Sequence, residues 1–275
     1  MENPYVISAE LDLGGTDLEL IVKRKNIENF RENLDADLRA IGKETLWIPS
    51  STIKSDLDKA IARTNLPVAS LDDRYVSSAD QYLGISRGVD PLLNDDGYVP
   101  RRGYSSIEEQ LSRVSYLGDE IMLVDDVLFS GEMVSWLTDS LRPYGVRIGA
   151  VVVGVAIREG IEKLEADGIR VEASEVFEEV EDEICERDFA IVPGSGRRID
   201  SLAINALYFD SDYGKPTQWA SLEERDSESF CANSINRSMN LLNPNVPMAT
   251  LGNFLGYSAT GNGVAQLEQR LRSMS

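Results

Sequence analysis

Glu120-Ile121-Met122-Leu123-Val124-Asp125-Asp126-Val127-Leu128-Phe129-Ser130-Gly131-Glu132-Met133 is the stretch on which the reading of this chain turns. Its apolar run predicts a buried strand over 120–127 that closes on two carboxylates. A short turn containing Gly131 follows, and Ser130 is expected to cap a helix whose Val134, Leu137 and Leu141 share one face. In open parallel sheets ligands bind beyond the carboxyl ends of the strands. Backbone N–H groups of the turn, with the helix N-terminus behind them, form a ready anion site. Two acids beside such a cradle suit a sugar phosphate, with the acids on vicinal hydroxyls and the amides on the phosphate. Without a ligand, the same residues are a buried strand with two acids at its end.

Outward from this stretch, strand and helix patterns alternate. Thr45 to Ile48, Val68 to Leu71, Gln81 to Ser86, Ile148 to Ile157 and Phe189 to Val192 read as strands, and a helix runs on from the Pro49–Thr52 loop to Ala62. Such alternation predicts a mostly parallel sheet with crossover helices, an α/β fold. Residues 1–43 are expected to be an N-terminal extension. It comprises a hairpin (Val6 to Leu13, a turn at Gly14–Asp17, Leu18 to Val22) and a helix carrying Ile27, Phe30, Leu34, Leu38 and Ile41. Residues 44–200 form the expected core and 201–275 a helical C-terminal addition, with Ser221 to Leu242 and the spacing of Val264, Leu267 and Leu271 as its helices. Val89 to Ser106 reads as a long loop, and the acidic run from Glu178 to Asp188 as a solvated helix face.

Composition narrows the chemistry. The 275 residues carry 27 Lys and Arg against 47 Asp and Glu, a formal charge of −20. That field repels nucleic acid and anionic membrane, and no basic block reverses it locally. Histidine is absent and only Cys185 and Cys231 occur, which removes His-based metal sites, His-assisted nucleophiles and any disulfide framework. The start of the chain is too polar for a signal peptide, and no apolar run approaches about 18 residues. A reduced, cytoplasmic protein is the expectation.

The strand, its two acids and the hydroxyl-and-glycine loop resemble the fingerprint of the type I phosphoribosyltransferases. The match is tight over Glu120–Met133 and looser over roughly residues 44–195. The resemblance implies that Asp125 and Asp126 hold the ribose hydroxyls of phosphoribosyl pyrophosphate (PRPP), directly or through a Mg²⁺ and its water. It implies that Leu128, Phe129, Ser130, Gly131, Glu132 and Met133 form the 5-phosphate loop. The family's pyrophosphate loop follows an earlier strand, and Ser50, Ser51, Thr52 and Lys54 have that strand–loop–helix context; an ordinary helix start is the alternative. Val89 to Ser106 falls where family members carry a mobile loop over the pyrophosphate; by the resemblance Arg101 and Arg102 in it, and Arg87 just before it, would neutralise charge on the leaving group, and otherwise they are solvated arginines.

The implied reaction is displacement at the anomeric carbon of PRPP by a nitrogenous base or similar acceptor, with Mg²⁺, releasing pyrophosphate. The family's common assembly is a homodimer. Three residues depart from the family pattern. Met133 replaces a usual Thr, Glu132 adds charge beside a phosphate, and Phe129 stands where purine-salvage members have a proton-carrying Asp. They motivate the alternative of a non-catalytic PRPP- or nucleotide-binding regulator of the same fold. Asp12-Leu13-Gly14-Gly15-Thr16 echoes a sugar-kinase phosphate turn, or is a plain hairpin turn.

Overall fold

The computed structural model describes residues 3–14, 16–210 and 214–245. In chain order its elements are β1 (Tyr5–Ser8), α1 (Thr16–Ile21), α2 (Ile27–Ala40), β2 (Thr45–Ile48), α3 (Ser50–Arg63), β3 (Val68–Ser70), β4 (Gln81–Tyr82), β5 (Ile85–Val89), β6 (Asp95–Pro100) and α4 (Ile107–Val114). There follow β7 (Glu120–Leu128), α5 (Glu132–Leu141), β8 (Arg147–Ile157), α6 (Arg158–Ala166), β9 (Arg170–Phe177), β10 (Asp182–Cys185), β11 (Arg197–Ile199), β12 (Ile204–Ala206), α7 (Pro216–Trp219) and α8 (Glu224–Leu241). They form two compact units, one of residues 48–85 and 103–180, the other of residues 1–47, 86–102 and 181–275.

The first unit is built on a five-stranded sheet of order β4-β3-β7-β8-β9, parallel throughout. Its central strands are continuous apolar runs because both faces are covered: Ile121–Val124 and Ala150–Ile157 are buried. α3 turns Ile53, Leu57 and Ala60 inward, and α5 does the same with Val134, Leu137 and Leu141. Each of these valine, leucine and isoleucine side chains stabilises the fold by roughly 1.5–3 kcal/mol on leaving water.

The second unit carries two smaller sheets, β10-β1-β2 and β12-β11-β5-β6. Its core joins Phe30, Leu34 and Leu38 of α2 to Phe230, Cys231 and Ile235 of α8. Phe189 stacks on Phe209 with ring centroids 5.1 Å apart. Buried Glu186 takes Arg31 Nε at 2.7 Å and the amides of Glu10 and Leu11 at 2.9 and 3.0 Å. Glu10 in turn accepts from Arg187 at 2.6 Å. These bonds satisfy the two buried carboxylates, which would otherwise oppose folding strongly.

The α/β fold with parallel sheets is as the sequence implies, but several segments differ. No hairpin forms over Val6–Val22. β1 pairs in parallel with β10, and residues 16–21 are helical. Leu18, Ile21 and Val22 are buried while Leu20 is 57% exposed, so the burial follows a helix rather than the strand alternation read from Leu18, Leu20 and Val22. The acidic run is no helix face: it contains β10, and Glu186 is fully buried by its arginine partner. Residues 190–192 are no strand. Their buried backbone is instead tied by side chains, with Ile191 N donating to Ser238 Oγ at 3.1 Å. The expected loop from Val89 to Ser106 contains β6, reached by a turn in which Asp90 Oδ1 accepts from the amides of Leu92 and Asn94 at 2.8 and 2.9 Å. Gly15 and the stretch with Val264, Leu267 and Leu271 lie outside the described residues. Among the described residues no helix is long and apolar enough to cross a membrane.

Candidate functional site

β7 lies between β3 and β8. The chain leaves β3 towards β4 on one side of the sheet and leaves β7 towards β8 on the other. The strand order therefore reverses between β3 and β7, and a crevice opens at their carboxyl ends, the place where open α/β sheets take ligands. Asp125 and Asp126 stand at this edge. β3 is in register with β7 only from Val68 opposite Met122 to Ser70 opposite Val124, with one further bond from Leu71 N to Val124 O at 2.8 Å. On the other side the β7–β8 ladder continues through Leu128 opposite Ala156. The two acids are thus held as strand on one side and released on the other.

Successive strand residues face opposite ways. Asp126, 9% exposed, lies beside Gly154, which stands between the partners of Asp125 and Val127 in β8. A Cβ at Gly154 would strike Ile53 of α3, so this face is the one α3 covers. Asp125 faces the other way, half-buried, and its Oδ1 accepts from Asp126 N at 3.0 Å.

The segment after β7 packs against the start of α6. A Cβ on Gly160 would collide with the carbonyl oxygen of Phe129, and one on Gly131 would lie 3.4 Å from the Gly160 carbonyl. Gly131 takes φ 75°, left-handed backbone that favours glycine. It, and not Ser130, is the N-cap residue of α5, and no side chain caps the helix. The sequence expectation fails there because the left-handed turn moves the cap one residue on. The first-turn amides of α5, which have no acceptor inside the helix, head this loop. Leu128 is buried, Ser130 and Met133 are half-buried, and Phe129 and Glu132 are exposed.

Ser50, Ser51, Thr52 and Lys54 form the first turns of α3 rather than a preceding loop, with Pro49 at the N-cap and no capping side chain. The Ile53–Gly154 approach sets this turn at the carboxyl edge of the sheet, on the face of Asp126. Lys54 Nζ donates to Tyr75 O at 2.9 Å and pairs with Asp58 at 3.4 Å.

Sequence reasoning missed the segment after β3. Ser70-Leu71-Asp72-Asp73 repeats the pattern of Leu123-Val124-Asp125-Asp126, an apolar strand end closed by two acids, and that repetition was the available signal. Asp72 is 1% exposed, and its Oδ1 accepts from the amides of Arg74 and Tyr75 at 2.9 and 2.6 Å. Asp73 Oδ2 accepts from Tyr104 OH at 3.2 Å, and the Tyr104 ring covers Gly84, where a Cβ would overlap it. Buried Gln110 holds the Gly84 amide at 2.7 Å. Arg87 on β5, with Arg101 and Arg102 just past β6, belongs to the other compact unit. So does Arg197, whose guanidinium lies 4.7 Å from the Trp219 ring centre.

No protein-family model matches the chain. A curated hypoxanthine/guanine phosphoribosyltransferase of Methanohalophilus mahii is 36% identical over 69 residues, 25% of this chain and 36% of that protein. The match thus spans about a third of the relative's length. Among solved structures, orotate phosphoribosyltransferase of Mycobacterium tuberculosis H37Rv with inorganic phosphate superposes with TM-score 0.29 at 13% identity, over 46% of this chain and 70% of that one. Adenine phosphoribosyltransferase of Thermoanaerobacter pseudethanolicus superposes with TM-score 0.29 at 10% identity, over 56% and 83%. Over a quarter of its length, then, the chain is similar to a curated phosphoribosyltransferase.

Proposed function

We propose that the crevice between β3 and β7 holds a ribose 5-phosphate group and that the chain is a phosphoribosyltransferase acting on PRPP and a nitrogenous acceptor. The observation that carries this reading is the carboxylate pair Asp125–Asp126 at the strand-order reversal, one turn before an uncapped helix start at Gly131. The α5 amides and Ser130 hold the 5-phosphate, and the acids accept from the ribose hydroxyls. At the first turn of α3 the exposed Ser51 and the hydroxyl of half-buried Thr52 face the leaving diphosphate, with Ser50 buried behind them. As positive charge develops on the ribose ring, the carboxylates stabilise it across a short, partly desolvated distance.

Asp125 and Asp126 supply only oxygen donors, which fits Mg²⁺. Among the described residues no group of three or more acids and cysteines converges as a metal cage. A cation delivered on a diphosphate needs only one or two protein carboxylates. When bound, the ion would neutralise the diphosphate as it leaves.

The exposed Glu132 at the head of the loop and the aprotic Phe129 favour one second reading, a binding protein without turnover. Calorimetric titration of PRPP with Mg²⁺ into wild type and into the Asp125→Asn, Asp126→Asn double variant tests the site. Binding should weaken by about 100-fold or more in the variant, the loss of two charge-assisted contacts. Unchanged affinity sinks the assignment. Pyrophosphate release with supplied bases then separates transfer from binding alone.

A further inference from the structure

We propose that a row of arginines at one end of the β12-β11-β5-β6 sheet, Arg197, Arg87, Arg101 and Arg102, binds a small ligand carrying a triphosphate group. The site shares no residue with the crevice acids and rests on no reading of them. β5 and β6 lie side by side and are joined by residues 90–94 alone. So short a connection allows only an antiparallel pair. β11 runs parallel to β5, with Arg198 opposite Gly88. β5 and β11 therefore begin at the end where β6 finishes. One residue back from the Arg198–Gly88 pair, Arg197 lies beside Arg87 on the same face. A Cβ at Gly88 would strike Val99, which sets Val99 alongside it, and the chain runs on from there through Pro100 to Arg101 and Arg102. Three strands thus gather at one sheet end arginines that are far apart in sequence.

Among the described residues none of the four has an acid within ion-pair distance, whereas Arg31, Arg187 and Arg237 are each paired. Asp188, at the foot of β11, accepts from Gly196 N at 2.7 Å, and Asp200 pairs at 3.4 Å with Arg198, whose side chain leaves the other face. Like charges on opposed residues of neighbouring strands destabilise a sheet, so Arg87 beside Arg197 opposes folding until an anion lies between them. Arg197 is held in place for such a contact. Its guanidinium lies 4.7 Å from the Trp219 ring centre and 5.8 Å from that of Tyr208, and its buried Nε has no hydrogen-bond partner. Stacking fixes the plane of the fork, which suits bidentate contact with phosphate. Arg87 and Arg102 are exposed and Arg101 is half-buried, so the row faces solvent. Neighbouring strands lie about 4.8 Å apart, and three of them span about 10 Å. That is wider than one phosphate and fits a chain of phosphates. The formal charge of −20 repels an extended polyanion, which leaves a small ligand.

Calorimetry in EDTA with inorganic triphosphate and with orthophosphate tests the site. The proteins are wild type, Arg87→Gln, the Arg87→Gln, Arg197→Gln double variant and the Asp125→Asn, Asp126→Asn double variant. Wild type should bind triphosphate at least about tenfold more tightly than orthophosphate. Arg87→Gln should weaken triphosphate by about tenfold and the arginine double variant by about 100-fold, through lost charge-assisted contacts. The acid variant should stay within about twofold of wild type. Arg87 is exposed, so Arg87→Gln decides the matter even if taking Arg197 off its aromatic rings unfolds the sheet. The inference is overturned if wild type does not bind triphosphate, if orthophosphate binds as tightly, or if Arg87→Gln changes nothing. It is overturned too if the acid variant loses triphosphate as the arginine variants do, because the group is then held in the crevice. Adenosine triphosphate, titrated alongside, separates two carriers of the group: binding tighter than that of inorganic triphosphate supports a nucleotide, and equal or weaker binding a free polyphosphate.

Discussion

Asp182, on β10, shows how a single residue's surroundings set a property of the whole chain. Burial pushes its carboxyl up from 3.8 to about 6, against a hydrogen bond from Ser221 and the charge of Lys43, which pull it down. Between those pH values the folded protein holds a proton that the unfolded chain has released, so stability falls as pH rises through that window. Asp182→Asn keeps a side chain of the same shape and should remove this slope, raising the melting temperature at pH 7 relative to wild type. Melting curves at pH 4.5 and 7 decide it; an unchanged difference between the two pH values would show that Asp182 is not the titrating group. At the candidate site the residue-scale lesson runs the other way. Asp125 and Asp126 are legible as a pair in the sequence, but their division between two faces follows from strand geometry that the pair alone does not reveal.

At the scale of elements, the loop after β7 is shaped by the helix that follows the next strand. Gly160 opens α6 and lets it close on the Phe129 carbonyl. Gly160→Ala should push the 128–131 segment outward, cost about 1–3 kcal/mol of stability by overpacking, and weaken ribose 5-phosphate binding. Urea unfolding with calorimetry on the same preparation checks both effects. A variant that loses stability yet binds normally would separate the loop from the phosphate. The helices α2, α3, α5 and α8 were legible because their apolar residues repeat at three- and four-residue spacing. α1 was not, because Leu18, Leu20 and Val22 satisfy a strand pattern as well as Leu18, Ile21 and Val22 satisfy a helix. Only packing chooses between them.

On the scale of the molecule, 47 acids against 27 bases leave a charge of −20 that opposes any compact state through self-repulsion. Raising sodium chloride from about 10 to about 200 mM shortens the screening length to under about 10 Å and should raise the melting temperature by several degrees. A fall or no change would mean that pairs such as Arg31–Glu186 outweigh the global field. Each compact unit draws on separated stretches of chain, so strands such as β1 and β10, remote in sequence, become neighbours.

The sequence by itself determined the parallel α/β class, the buried strand with its acid pair, the presence of a helix after the turn that contains Gly131, and the exclusion of histidine chemistry. Each is a local pattern or a count, readable without knowing what lies alongside. Tertiary structure alone decided that β3, not β2, adjoins β7, that Asp72 already fills the amides at its end, and that the arginines at 87, 101 and 102 fall in a separate unit. Those are facts about which strands pair and where the chain turns, and they rest on contacts between residues far apart in sequence, which no local pattern encodes.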